Sequence, residues 1–282
     1  MSAIAKEIVL VTGGRLQFPP SHAVYSWSIA NSGIGFEIAH QLLARGTYHV
    51  FLSARSSERG NAALQDLQNR KLPGSIEFLP LDVQSDEHIA NAASKIAASH
   101  GKLDILVNNA AIAFKSDGTE RERLQTSFNI NATGPFLLTK ALIPLLRKSS
   151  NPRIINISSG AGSLGRRLLP ESPMYKIQAI PYRASKIAFN MITACLHVEY
   201  GLGIEQMDGD KSEGEAEGME RRTMKVFAYD PGFTASNLSS HNKVEFGART
   251  AEDTVKSIMD VVDGKRDGEV GRFIHNTGEY PW

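Results

Sequence analysis

Tyr182 and Lys186 stand four residues apart in "PYRASKIAFN". On a helix, residues at i and i+4 share one face. A free phenol titrates near pH ~10 and exchanges protons poorly at neutrality. A neighbouring ammonium favours the phenolate and should lower that value. Such a pair is suited to general acid–base work: giving a proton to an oxygen as negative charge develops on it, or taking one in reverse. The same spacing occurs on many helix surfaces with no chemistry attached, so the pair gains meaning only from its companions. Tyr175 and Lys176 are adjacent in sequence and lack that geometry.

A second group is made of glycines. The segment Val11–Gly35 reads "VTGGRLQFPPSHAVYSWSIANSGIG". Without Arg15–Ala30 it becomes V-T-G-G-N-S-G-I-G. Gly13, Gly33 and Gly35 are then the glycines of a G-x-x-x-G-x-G turn, with Asn31, Ser32 and Ile34 between them. Glycine is needed where backbone turns tightly and meets a pyrophosphate, and a following helix N-terminus offers free N–H groups to phosphate. About 20 residues beyond the glycines, an acidic side chain would accept the ribose hydroxyls of NAD. "FLSARSS" carries Arg55 there instead. A guanidinium fork suits a 2′-phosphate, so NADP(H) is expected in preference to NAD(H).

These groups need a scaffold that brings them together. Continuous apolar runs predict strands at Ile8–Thr12, Thr47–Ser53, Ile76–Asp82, Leu103–Asn108, Arg153–Ser158, Lys225–Asp230 and Gly271–His275. Helical spacing predicts helices at Ile34–Arg45, Ser57–Arg70, Asp86–Ser99, Glu120–Arg147, Pro181–Tyr200 and Ala251–Asp263. Strands apolar on both sides, alternating with helices, indicate the α/β class: one doubly wound parallel sheet with helices on both faces. Ligands bind such sheets in the crevice at the carboxyl ends of the strands. No composition shift marks a second domain, so residues 1–282 are expected to form a single unit with insertions at 15–30 and 205–222.

The chain has 282 residues, a formal charge of +1 and one cysteine. That balance gives no reason to expect nucleic acid or an anionic membrane as partner. Cys195 is expected to be a buried apolar residue on a helix, and a lone cysteine suits a reducing compartment. No stretch approaches the roughly 18 apolar residues of a membrane span. No secretory signal pattern opens the chain. A cytoplasmic protein is expected. The eight histidines lack metal-ligand spacing, and no metal is expected. Glu205–Arg222 holds seven acidic and three basic residues and reads as a solvated loop. Its "DGDKSEGE" fails as a calcium loop because the twelfth position from Asp208 is Met219.

The motifs "TG…NSGIG", "LSAR", "LDV", "LVNNAA", "NATG", "NISSGAG", "YRASK" and "DPGFTASN" occur in this order at strand ends. Together they resemble the short-chain dehydrogenase/reductase family, in particular its carbonyl-reductase-like branch. The resemblance spans nearly the whole chain outside the two insertions. It implies a Rossmann-type sheet of about seven strands in the order 3-2-1-4-5-6-7. It implies Ser159 as the hydrogen-bond donor to a substrate carbonyl, Tyr182 as proton donor and Lys186 as holder of the nicotinamide ribose. Asn131 would hold a water that links Lys186 to solvent. Asp82 and Val83 would meet the adenine, and Asn109 and Ala110 would flank the adenosine ribose. Pro231, Gly232 and Thr234 would lie beside the nicotinamide, with Ser236 near its amide. Ala111 stands where the family usually has glycine, and Thr234 and Ser236 where Val and Thr are commoner.

Ser159 and Tyr182 are 23 residues apart, more than the family's commonest spacing. The extra residues are expected to cover the substrate. Phe114–Thr119, Leu164–Ile180 and Phe233–Arg249 should set specificity for a small, largely apolar ketone, aldehyde or alcohol. The resemblance implies a homodimer or homotetramer, with monomers also known in this branch. The tail "GEYPW" is expected to be docked.

Arg15–Ala30 leaves three readings. The segment bulges away and an NADPH-dependent reductase remains; loop closure grows only logarithmically with length. Alternatively it blocks the pyrophosphate site, leaving a non-catalytic protein of the same fold. Or it is a translated intron or gene-model error: it contains no acidic residue and its clean removal restores the motif.

Overall fold

The computed structural model describes residues 6–13, 33–113, 118–172, 174–203, 223–239 and 241–282. Arg15–Ala30 and the acidic insertion 205–222 lie outside them. Eight strands form one sheet in the order β3-β2-β1-β4-β5-β6-β7-β8. They are β1 (Glu7–Val11), β2 (Tyr48–Ala54), β3 (Ser75–Pro80), β4 (Ile105–Asn108), β5 (Arg153–Ile157), β6 (Lys225–Asp230), β7 (Phe273–His275) and β8 (Gly278–Glu279). The first seven are parallel. The eighth, two residues long and absent from the sequence expectation, pairs antiparallel with β7.

Alternation along each strand feeds two cores. Val9, Val11, Val50, Leu52 and Ile155 pack on one face with Phe36 and Leu42 of α1 (Ile34–Arg45). Ile8, Leu10, Phe51 and Ile154 pack on the other with residues such as Ile89 and Ile96. Four more helices complete the frame around this sheet: α2 (Ser57–Asn69), α3 (Asp86–His100), α4 (Glu120–Phe128) and α5 (Gly134–Leu146). The helix expected over Glu120–Arg147 is thus two, separated by a π turn at Asn129–Thr133. After β5 come a 3-10 turn at Gly160–Gly162, the short α6 (Leu164–Arg167) and the long α7 (Ile180–Leu196). Last is α8 (Ala251–Val262), which adds Val255 and Ile258 to the first core.

A buried polar chain fixes the helices beneath the strand ends. Asn108 Nδ2 donates to Asn156 Oδ1 at 2.9 Å and to Thr139 Oγ1 at 3.0 Å. Asn156 Nδ2 donates to Thr193 Oγ1 at 2.9 Å. α5 and α7 are thereby registered to β4 and β5 just below the crevice. Cys195 is exposed on α7, not buried as expected. The helical stripe that faces the sheet falls on Phe189, Thr193 and Leu196 instead. Among the described residues, no helix is long and apolar enough to cross a membrane.

Candidate active site

Tyr182 and Lys186 lie on α7 as their spacing predicts, and the face they share is turned inward. Tyr182 is 7% exposed and Lys186 2%. Lys186 Nζ donates to the Ile157 carbonyl oxygen at 2.8 Å, at the end of β5. It stands 6.0 Å from the centre of the Tyr182 ring. Burial pushes the Tyr182 phenol up to about 12; a hydrogen bond with Ser159 pulls it down and the Asp230 carboxylate pushes it up. Burial brings the Lys186 ammonium down to about 7, against the pull of Asp230. The expectation of a lowered tyrosine pKa is therefore corrected. Desolvation sets the direction for both groups: it raises the phenol and weakens the lysine's own charge.

Two adjacent serines follow β5. Ser158 is buried and its hydroxyl donates to Asn190 Oδ1. Ser159 opens the Gly160–Gly162 turn, its Oγ accepting the Ala161 amide at 3.2 Å. Ser159, not Ser158, is the one bonded to Tyr182. Asn131 is fully buried in the π turn. Its Oδ1 accepts the Ile112 amide at 2.9 Å, while Nδ2 donates to the Ile112 carbonyl at 2.8 Å and to Ser185 Oγ at 2.9 Å. Both amide hydrogens are used, so its side chain braces the segment after β4 against α7.

Ser159, Tyr182 and Lys186 form one end of a cleft of about 1150 Å³ along the carboxyl edge of the sheet. The range for drug-sized ligands is about 300–1,000 Å³, so this one has room for a dinucleotide beside a small second molecule. Gly13, Gly33, Ile34, Arg55, Asp82, Val83, Asn109, Ala110, Pro231, Gly232, Thr234 and Ser236 all line it. Asn31 and Ser32 lie outside the described residues. Gly35 packs behind the turn: a Cβ there would fall 2.6 Å from Asn109 Nδ2. Gly13 has φ +75, and a Cβ on it would fall 2.9 Å from the Ala110 Cα. Thr12 fastens the facing loop, its Oγ1 accepting the amides of Asn109 at 2.9 Å and Ala110 at 3.0 Å. This bare backbone cradle, opening onto the N-terminus of α1, fits a pyrophosphate. Among the described residues, no group of three or more His, Cys, Asp or Glu could hold a metal.

The short chain dehydrogenase family matches over residues 29–205. The short-chain dehydrogenase anuI of Penicillium roqueforti is 32% identical over 92% of this chain and 89% of its own length. The chain belongs to the short-chain dehydrogenase/reductase family. The short-chain dehydrogenase/reductase tropE of Talaromyces stipitatus is 31% identical, covering 97% of both chains. The crystal structure of an NADPH-bound carbonyl reductase from chicken fatty liver is 25% identical, with a TM-score of 0.73 over 99% of this chain and 100% of that one. As a short-chain dehydrogenase/reductase the protein is an oxidoreductase of a family that uses nicotinamide dinucleotides and acts on small molecules.

Three residues of this family member's cleft, and one that braces it, stand outside the residues singled out in the sequence. Arg59, on the first turn of α2, lines the cleft beside Arg55; its spacing of four from Arg55 was the available signal. Arg183, inside "YRASK", is 7% exposed. It donates to the carbonyls of Ile177 at 3.1 Å, Ala161 at 3.3 Å and Met174. It thereby ties the segment of Met174 and Ile177 to the serine turn. Arg166 and Tyr280 line the cleft from α6 and the C-terminal tail; the first lies in the expected specificity segment Leu164–Ile180 and the second in the tail expected to be docked, but neither is among the expected site residues. Of the expected substrate loops, Leu164–Ile180 contributes Met174 and Ile177, and Phe233–Arg249 contributes Phe233 and Leu238. In Phe114–Thr119, residues 114–117 lie outside the described residues.

Proposed function

We propose that this short-chain dehydrogenase/reductase is an NADPH-dependent carbonyl reductase, acting on a small, largely apolar ketone or aldehyde and on the corresponding alcohol in reverse. The observation that carries the reading is the hydrogen bond between Ser159 and Tyr182 inside a cleft that runs on to the Gly13 turn and Arg55. The bound nucleotide supplies the hydride. Its pyrophosphate would rest on the backbone of Gly13, Gly33 and Ile34. Its adenine would meet Asp82 and Val83, with the neighbouring ribose between Asn109 and Ala110. Arg55, with Arg59 beside it, would take the 2′-phosphate, which favours NADPH over NADH. Pro231, Gly232, Thr234 and Ser236 would flank the nicotinamide. The NADPH-bound state of the chicken carbonyl reductase supports the same choice.

The side chains divide the remaining work. Ser159 donates to the substrate oxygen and steadies the charge that develops on it. Tyr182, with its phenol raised to about 12, is protonated at neutral pH and gives its proton to that oxygen. Lys186, near 7, loses or regains a proton at little cost and so serves the resupply of Tyr182 as well as the ribose. Asn131 holds the loop after β4 in place; a water from this region to Lys186 completes the proton path. Met174, Ile177, Phe233 and Leu238 give the carbonyl end apolar walls.

Carbonyl-dependent loss of NADPH absorbance, with a panel of aldehydes and ketones, tests the proposal. Turnover abolished by Tyr182→Phe is the expected result. A chain that binds neither nucleotide returns the protein to the non-catalytic reading.

A further inference from the structure

The proton path above leaves three polar groups unused, and they converge behind Ser159. Asp230 ends β6 and is 6% exposed. Its Oδ1 accepts the Gly232 amide at 2.9 Å, and its carboxylate also accepts the Gly160 amide. One side chain thus ties the loop carrying Ser159 to the loop carrying Pro231, Gly232 and Thr234. Arg166 reaches in from α6. Its guanidinium lies 3.9 Å from the centre of the Tyr280 ring. It also fills the space over Gly160 so closely that a Cβ there would fall 2.3 Å from Nη1. The Tyr280 hydroxyl hydrogen-bonds with both Arg166 and Asp230.

Tyr280 is itself fastened from several sides. Its amide donates to the Phe273 carbonyl at 2.8 Å. Its ring stacks on His275 at 4.2 Å and meets the edge of Phe273 at 5.5 Å. The next residue's carbonyl, Pro281, accepts Ser163 Oγ at 2.6 Å. The tail is therefore bolted to both β7 and the turn after Ser159. Among the described residues, the charged and titratable groups that act on Asp230 or feel it include Arg166 from α6, His275 from β7, Tyr280 from the tail, Tyr229 from β6, and Tyr182 and Lys186 from α7. A buried carboxylate with a guanidinium and two amides to answer it is a firm anchor.

We propose that Asp230, Arg166 and Tyr280 form a positioning network that holds the Ser159 loop at the reacting carbonyl, making the C-terminal tail part of the active site. The inference rests on the carbonyl-reductase reading. The physical reason is the tolerance of such chemistry: a misplacement of about 1 Å can cost ~10²-fold in rate. Ser159 sits at the open end of a strand, next to a glycine. Its carbonyl accepts the Gly162 amide at 2.8 Å, which fixes the turn within itself; the clamp on Gly160 ties that turn to β6, α6 and the tail.

The test compares Asp230→Asn, Tyr280→Ala and Tyr280→Phe with the full wild-type chain, using 4-nitrobenzaldehyde as probe. Asp230→Asn and Tyr280→Ala should each lower kcat about tenfold or more. In Tyr280→Ala NADPH affinity should stay within about threefold, because the pyrophosphate cradle is untouched; in Asp230→Asn it should fall by less than kcat does, since the loop of Pro231 and Gly232 is released as well. Tyr280→Phe keeps the ring over the guanidinium but removes the hydroxyl's bonds to Arg166 and Asp230, so its kcat should fall between wild type and Tyr280→Ala. Without nucleotide, amide hydrogen exchange in residues 158–162 should accelerate in Asp230→Asn and Tyr280→Ala. An unchanged kcat overturns the proposal. So does a joint fall of kcat, NADPH affinity and melting temperature in Tyr280→Ala, which would mark a purely structural part. A wild-type chain that fails to bind NADPH sinks the reductase reading; the exchange measurement needs no nucleotide and still decides the network.

Discussion

The two ends of the cleft are built from different materials. At the Ser159–Tyr182 end the working parts are side chains, buried and interlocked through Ser159, Ile157 and Asp230. At the Gly13–Gly35 end the working part is bare backbone. At Gly13 and Gly35 a side chain would run into Ala110 and Asn109. The first end depends on residue types, the second on the path of the chain. A change of type damages the first without moving the fold. An insertion between Gly13 and Gly33 threatens the second without changing any residue that matters. The two ends should therefore fail separately.

Substitution of Tyr182 by Phe should give the largest effect. Loss of the proton donor should lower kcat by ~10²–10⁴ and leave NADPH affinity within about threefold. A matching loss of affinity would erase the distinction between the ends. Arg55→Ala should do the reverse. Losing charge-assisted bonds to a 2′-phosphate should cut the NADPH-over-NADH preference by ~10- to 100-fold, at 1.5–3 kcal/mol, with kcat nearly unchanged. Paired titrations of both nucleotides read it directly.

Gly35→Ala acts on backbone alone. Its new Cβ would meet Asn109 Nδ2 at 2.6 Å and the carbonyls of Gly13 and Thr12 at 3.2 Å. The expected cost is about 1–3 kcal/mol of stability, seen as a lower melting temperature with weakened NADPH binding. Lys186 gives a signal in stability. Its pKa falls from 10.5 to about 7 on burial. Between those values the unfolded chain holds a proton that the folded chain has lost, so stability rises with pH across this window. Below about 7 both states hold the proton and the contribution is flat. Chemical denaturation at pH 7 and pH 9 should show this rise in the wild type and its loss in Lys186→Met.

What could be read in the sequence follows the same division. The dyad was legible because a spacing of four survives any helix, and the sheet because parallel strands apolar on both faces have few alternatives. The sign of the Tyr182 shift was not: burial on α7 is a tertiary fact, and burial is what raises the phenol. Nor was the break at Asn129–Thr133, since a π turn changes backbone register without changing hydrophobic spacing. Arg166, Asp230 and Tyr280 meet only after the chain has crossed the sheet and returned, so no local motif contains them. The exposure of Cys195 shows the reverse error, in which a residue's usual preference misleads when the buried stripe passes beside it.

The most direct measurement is a fluorescence titration of NADPH and NADH against the full chain and against one lacking Arg15–Ala30. The account predicts that the full chain saturates with one NADPH, that NADH binds more weakly, and that the shortened chain behaves alike. A full chain that binds no NADPH, or binds NADH equally well, would contradict it.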